Sequence, residues 1–108
     1  MALNQLPIIT NAAGTGGNTS AAIDVGFGSP GYAVRTFNAD LAGGETATVQ
    51  YQDNGGTFRD LTVRGDDGTI HTVSCTATNR VCFIRQAGTY RIVLTATVGS
   101  VGVEILPL

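Results

Sequence analysis

The chain has little charge, and none of its positive charge is lysine. Charged residues make up 13% of the sequence, against roughly 25% in ordinary soluble domains. Its six positive residues are all arginines, and eight acidic residues outnumber them, so the net charge is −2. A nucleic-acid-binding protein carries a basic stripe or patch. Because the arginines here are dispersed along the chain, we predict no nucleic acid partner.

Residue types that perform chemistry are also scarce. The chain has one histidine, His71, and two cysteines, Cys75 and Cys82. It has no G-x-S-x-G nucleophile motif, and the glycine-rich residues 14–17 are not followed by the Lys-Ser or Lys-Thr of a phosphate-binding loop. The cysteines have no second pair to complete a zinc site. We therefore expect no catalytic residue, no cofactor and no metal ion, and we do not expect an enzyme.

The two cysteines lie symmetrically about Thr78-Asn79. A hairpin centred on that dipeptide would place them opposite each other on neighbouring strands. A disulfide and a pair of reduced, packed thiols both remain open.

The chain also lacks the long apolar runs that direct a protein to a membrane. Its first residues contain no basic region followed by an apolar core, as a signal peptide would. No stretch approaches the roughly 18 apolar residues that a transmembrane helix needs. We expect a protein that is made in the cytoplasm and has no membrane partner.

The most informative stretch, residues 46–61, predicts one β-hairpin. Apolar and polar residues alternate along its first half, so one face of that strand is apolar. Residues 53–56 (Asp-Asn-Gly-Gly) tolerate the positive φ of a tight turn. Phe58 and Leu61 are expected to return to the core. Their spacing of three predicts a β-bulge near residues 59–60.

Alternation also predicts strands on both sides of this hairpin. Residues 21–27 form one strand, in which alternate residues from Ile23 to Phe27 share the apolar face. Residues 90–105 form a hairpin whose apolar face continues as far as Val98, with Gly99-Ser100 as a two-residue turn. Residues 58–63 and 69–76 are each predicted to be one strand.

About eight short strands without a helical period predict an all-β protein. We expect an antiparallel two-sheet sandwich of jelly-roll type. An immunoglobulin-like sandwich fits less well, because tryptophan is absent and both cysteines lie in one local hairpin. We divide the chain into an N-terminal segment, residues 1–20, and a single β-sandwich domain, residues 21–108.

The N-terminal segment combines an apolar patch with a connector, residues 11–20, that is rich in glycine, asparagine, threonine and serine. It has two interpretations, which stay open here. It is either a first strand followed by a long loop, or an arm that docks on a neighbouring subunit. The candidate contact residues of this arm are apolar throughout: Leu3, Leu6, Pro7, Ile8 and Ile9.

Weak charge also bears on assembly. Surface charge helps to keep proteins soluble and apart. A chain with so little surface charge is suited to packing against copies of itself or against partners, so we predict a homo-oligomer.

Two parts of the sequence resemble small all-β virion proteins of tailed bacteriophages. They are residues 48–61 (TVQYQDNGGTFRDL) and Gly88-Thr89-Tyr90-Arg91, which a glycine-containing hairpin follows. Phe58 stands where those proteins often carry tryptophan. The resemblance implies a capsid decoration (cement) protein, typically a trimer, that binds the major capsid protein outside the head and stabilises it. The location would then be the virion surface, after synthesis in the host cytoplasm.

Two alternatives accompany this interpretation. One is a tail, fibre or head–tail accessory protein, which is also structural. The other is a glycan-binding β-sandwich module, in which exposed aromatic residues such as Tyr32 and Tyr51 would stack on sugars.

Overall fold

The computed structural model describes residues 6–10 and 16–108. These residues form twelve strands and no helix, so the predicted all-β class is confirmed. The strands are β1 (Leu6–Thr10), β2 (Asn18–Thr19), β3 (Ile23–Val25), β4 (Tyr32–Asn38), β5 (Ala47–Gln52), β6 (Phe58–Asp60), β7 (Thr62–Arg64), β8 (Ile70–Thr72), β9 (Ser74–Cys75), β10 (Val81–Ile84), β11 (Gly88–Leu94) and β12 (Val101–Pro107).

The strands form three sheets, in which every pair is antiparallel. A four-stranded sheet has the order β1-β12-β4-β10. A six-stranded sheet has the order β2-β11-β5-β6, with β3 also on β11 and β9 also on β5. Strands β7 and β8 pair only with each other among the described residues. One hydrophobic cluster serves both larger sheets, since it joins Val34 and Val103 of the first to Val49 and Ile92 of the second.

The expected count of about eight strands is wrong, because β1 and β2 lie in the N-terminal segment and two predicted strands change partner midway. The switch occurs where Leu61, Val49 and Val73 meet. Leu61 N donates to Val49 O (2.9 Å), Val73 N donates to Leu61 O (2.8 Å) and Val49 N donates to Val73 O (2.9 Å). The strand predicted at residues 58–63 is therefore divided into β6 and β7, and the strand predicted at residues 69–76 is divided into β8 and β9. Beyond this junction, β7 and β8 pair with each other and not with β5, so they form a separate, projecting hairpin.

The central hairpin is confirmed as β5 and β6, but two of its details are wrong. The pairs from Gln52↔Phe58 to Gln50↔Asp60 run without a register shift, so there is no bulge at residues 59–60. Phe58 does not enter the core. It lies half-buried beneath Arg91, whose guanidinium carbon is 4.2 Å from the centroid of its ring. A guanidinium at this distance attracts the face of the ring, which gives Phe58 a partner outside the core.

The predicted C-terminal hairpin is also wrong, because its two strands lie in different sheets. Strand β11 pairs in the six-stranded sheet and β12 in the four-stranded sheet. Both present apolar side chains to the same core, so residues 95–100 cross from one sheet to the other. In this crossing Val98 is 78% exposed, and Thr97 is buried in its place.

The strand predicted at residues 21–27 is shorter than expected. Ile23 and Val25 are buried as predicted, but Phe27 is fully exposed. Ser29 N donates to Gly26 O (3.2 Å), so a turn begins directly after β3 and turns Phe27 away from the core.

The turn of the central hairpin is organised by the carboxylate of Asp53. Oδ1 accepts from the N–H groups of Gly55 (2.9 Å) and Thr57 (3.0 Å), and Oδ2 accepts from Arg59 Nε (2.7 Å). The hydrogen bond from Arg59 and those from the backbone hold the pKa of Asp53 below its ordinary value. The carboxylate form therefore stabilises the folded turn.

This lowered pKa predicts a stability difference that depends on pH. The Asp53 carboxylate contributes its full stabilisation when the pH is above its pKa in the unfolded chain, about 3.9. This contribution is lost as the pH falls through the lower pKa of Asp53 in the folded chain. Thermal unfolding should show Asp53→Asn melting below the wild type at neutral pH. The gap should close in stronger acid. Asp66→Asn, at an exposed position in the next turn, is the control and should show no gap. An Asp53→Asn gap that is unchanged in acid would contradict the assignment.

Candidate functional site

The N-terminal candidate residues fall partly outside the described residues, as Leu3 does. Strand β1, Leu6–Thr10, pairs with β12 of the same chain, with a register shift between Pro7 and Ile9. Ile9 is 3% exposed and belongs to the core, and Ile8 packs against that core half-buried. Among the described residues β12 is the only partner of β1, so this strand forms one edge of the four-stranded sheet. Its role as a contact segment stays a prediction.

His71 has partners that the sequence interpretation missed. Its Nε2 lies 2.7 Å from Thr69 Oγ1 and 3.2 Å from Asp67 Oδ1. Hydrogen bonds from Thr69, first from its backbone and then from its hydroxyl, lower the pKa of Asp67, and His71 adds to this. A catalytic triad would use both ring nitrogens, one toward the nucleophile and one toward the carboxylate. Here one nitrogen meets both groups, so the cluster stabilises the turn between β7 and β8.

Cys75 and Cys82 are free thiols whose sulfur atoms lie 3.7 Å apart. Both are buried, and Cys75 Sγ also donates to Val34 O (3.5 Å). The hydrogen bond between the thiols stabilises a thiolate at one sulfur only. It lowers the pKa of Cys75 and, together with burial, raises the pKa of Cys82. Their closeness agrees with the symmetric spacing, but the expected hairpin is wrong, because β9 pairs with β5 and β10 pairs with β4 in different sheets.

We predict that a mild oxidant will join these cysteines within one chain. Diamide would take the two thiol hydrogens and become the hydrazine as the S–S bond forms. Closing so small a loop should stabilise the fold by roughly 2 kcal/mol. Mass spectrometry and thermal unfolding of the treated wild type would show the loss of two hydrogens and a higher melting temperature. Cys82→Ser should show neither. Disulfide-linked dimers as the main wild-type product would contradict the prediction.

A surface groove of about 760 Å³ lies between the β7–β8 hairpin and β10. Val63 and His71 line it from the hairpin side, and Val81 and Phe83 from the β10 side. A smaller cavity of about 340 Å³ shares Leu61 and Tyr90, among others, with the groove and extends it toward β5. The groove volume lies within the usual range for binding sites.

Apolar side chains are unusually exposed along this groove. The exposed fraction is 50% for Val63, 37% for Val81 and 40% for Phe83. Ile70, at the far end of the hairpin, is 58% exposed. Exposed apolar groups that cluster in a concave surface mark sites of interaction.

The charge of the groove has one sign. Arg64 and Arg85 line it, and no aspartate or glutamate is among its lining residues. Arg64 Nη1 donates to Gly68 O (2.9 Å), and the Arg85 guanidinium lies 4.6 Å from the centroid of the Phe83 ring. Within the described part of the chain, neither arginine has a carboxylate within salt-bridge distance. Both guanidinium groups therefore keep donors for an anionic partner.

Comparisons with known proteins assign this chain to no family. No family model matches it, and it matches no curated protein and no solved structure. In residues 6–10 and 16–108 there is no cluster of three or more His, Cys, Asp or Glu placed to hold a metal ion. The same residues contain no helix of the length and hydropathy needed to cross a bilayer.

Proposed function

We propose that this chain is a structural virion protein, a capsid decoration protein of a tailed bacteriophage. It binds the outside of the major capsid lattice and stabilises the head, as a homotrimer located on the virion surface. The fold proposed with this function is a two-sheet sandwich of jelly-roll type. The cluster of buried residues common to both larger sheets supports that architecture.

The observation that carries the proposal is the projecting hairpin together with the groove beside it. A two-stranded hairpin is marginal on its own, and β7 and β8 pair with no third strand among the described residues. All six residues of these two strands are exposed, including Val63 and Ile70. Packing a partner against the hairpin would cover this apolar surface, which is the arrangement that a clamp between capsid subunits needs.

The mechanism is passive. A protein that binds only the assembled, expanded lattice stabilises that lattice by mass action, by about 2.7 kcal/mol per site when its free concentration is 100 times Kd. A trimer that contacts several capsid subunits at once gains avidity beyond that of one site. The N-terminal segment (Leu3, Leu6, Pro7, Ile8 and Ile9) is proposed as a second contact, through the outer edge of β1.

The proposal is tested with heads assembled from the major capsid protein alone. We expect purified chain to co-sediment with these heads to saturation and to raise the temperature at which they rupture. Light scattering should give three times the 11.1 kDa mass of one chain. A monomer at micromolar concentration that neither co-sediments nor shifts the rupture temperature would contradict the proposal.

Two alternatives have distinct outcomes in related assays. A tail, fibre or head–tail accessory protein would co-sediment with purified tails but not with heads. A glycan-binding module is favoured by one feature, the smaller cavity, which Tyr51 and Tyr90 help to line. Tyr32, the other candidate aromatic residue, is half-buried against the core. Clear hits on a glycan array, without head binding, would favour the module.

A further inference from the structure

We infer that the groove between the β7–β8 hairpin and β10 binds an extended, acidic segment of the partner. This segment pairs with β10 as an added strand and places carboxylates near Arg64 and Arg85. The inference rests on the proposed function in one respect, which is that the partner is the major capsid protein.

Backbone geometry is the first support. Strand β10 pairs with β4 alone among the described residues, so it forms an edge of the four-stranded sheet. Thr36 N donates to Arg80 O (3.4 Å). Antiparallel ladders alternate between residues that bond across the pair and residues that do not. With the register Val81↔Arg35 and Phe83↔Ala33, the peptide groups of Val81 and Phe83 therefore point away from β4.

Those peptide groups point toward the side from which a strand can be added. Extended peptides commonly dock by adding a strand to an open sheet edge, with backbone bonds giving affinity and alternate side-chain pockets giving specificity. Four residues of β10 span about 13 Å at roughly 3.3 Å per residue. A partner strand of similar length would lie between β10 and the hairpin.

Side chains supply the specificity. Val63 on the hairpin and Phe83 on β10 offer apolar contacts from both walls of the groove. Arg64 and Arg85 bring positive charge, and no lining residue is acidic. Arginine pairs with carboxylates through two parallel hydrogen bonds in favourable cases. A segment that alternates apolar residues with aspartate or glutamate complements this surface.

A second copy of the chain complements the groove less well. Pairing β10 with β10 of another copy would bring the arginines at its ends, Arg80 and Arg85, toward those of the other chain. The apolar β1 segment, residues 6–10, carries no acidic residue to meet Arg64 or Arg85. Self-association through the groove is therefore the outcome that we do not expect.

The first experiment uses heads assembled without this chain. Val63→Glu and Phe83→Glu, which repel a carboxylate-bearing strand, should each weaken head binding by about tenfold or more, the range of an interface hot spot. Val98→Glu and Phe27→Glu are matched controls, since both positions are exposed and neither lines the groove. The controls should bind within about twofold of the wild type. Unfolding curves would confirm that all four variants fold.

A second experiment needs no heads. A synthetic peptide that alternates valine and glutamate is titrated into the isotope-labelled wild-type chain, followed by amide chemical shifts. Shifts should concentrate at residues 62–64 and 81–85, and a valine–lysine peptide should cause none.

The outcomes separate the two ideas. If the peptide binds in the groove but the chain does not bind heads, the capsid proposal is overturned and the groove is supported as a binding site for an acidic segment. If Val63→Glu and Phe83→Glu bind heads as well as the wild type does, the groove is not the binding site. The same conclusion follows if the two control variants lose as much head binding as these two do. A change of oligomeric state in the groove variants shows that a second copy occupies the groove, which also overturns the inference.

Discussion

Replacing Gly31 with alanine is expected to lower the free energy of unfolding by roughly 2–5 kcal/mol. Gly31 has a φ of 97°, which costs an L-residue about 1–2 kcal/mol. An added Cβ would also overlap the carbonyl oxygen of Ile84 and lie 2.9 Å from its carbonyl carbon. Because this obstacle is backbone, the β4–β10 pairing must shift, at a further cost of about 1–3 kcal/mol.

Two nearby glycines are matched controls for this substitution. Gly28 has a φ of 83° but no atom within 4 Å of an added Cβ, so Gly28→Ala should show the φ cost alone. Gly26 has open space and an ordinary φ, so Gly26→Ala should be neutral or slightly stabilising. Denaturant unfolding of the three variants should rank them in this order. Gly31→Ala as stable as Gly28→Ala would show that the backbone contact is not a constraint.

Removing the arginine of the Arg35–Glu104 pair is expected to have the second-largest effect. The two residues face each other across β4 and β12 and form an ion pair. Glu104 is 7% exposed, whereas the Arg35 side chain is 40% exposed. Arg35→Met would leave a buried carboxylate without its partner and should lower the free energy of unfolding by about 2–3 kcal/mol. This loss is below the range for fully buried pairs because the Arg35 side chain is partly solvated.

A double-mutant cycle separates pairing from packing at this site. Glu104→Leu should cost less than Arg35→Met, because the arginine that remains can reach water. The double variant Arg35→Met/Glu104→Leu should recover most of the loss, since an apolar pair replaces a buried ion pair without penalty. Denaturant midpoints of the four proteins would measure the coupling. Additive losses in the double variant would contradict this account.

The all-β class and most of the core follow from period-two alternation alone. Alternation places Val49, Ile92 and Leu94 on apolar faces, and all three are fully buried. The limits of alternation appear at the ends of the runs. Phe27 and Val98 continue the pattern but lie beyond the last paired residue, where turns take the chain away from the sheet. A sequence pattern shows which face is apolar but not where pairing stops.

Partner choice between strands could not be predicted in the same way. The exchange of partners at Leu61 depends on three backbone hydrogen bonds between segments far apart in sequence. The groove exists only because β7 and β8 leave the sheet there, so its lining residues carry no local signal. The His71 cluster is different. Its partner Asp67 is four residues away across a glycine-containing turn, a spacing that could have suggested the contact.

The most direct test of the docking surface is hydrogen exchange of the backbone amides, compared between the free chain and the chain bound to heads. An added strand should slow exchange at Val81 and Phe83, and packing against the hairpin should slow it over residues 62–72. Strand β1, residues 6–10, is the proposed second contact, so its exchange should slow as well. Protection confined to β1, with the β10 amides exchanging as in the free chain, would contradict the groove and favour the N-terminal segment as the capsid contact.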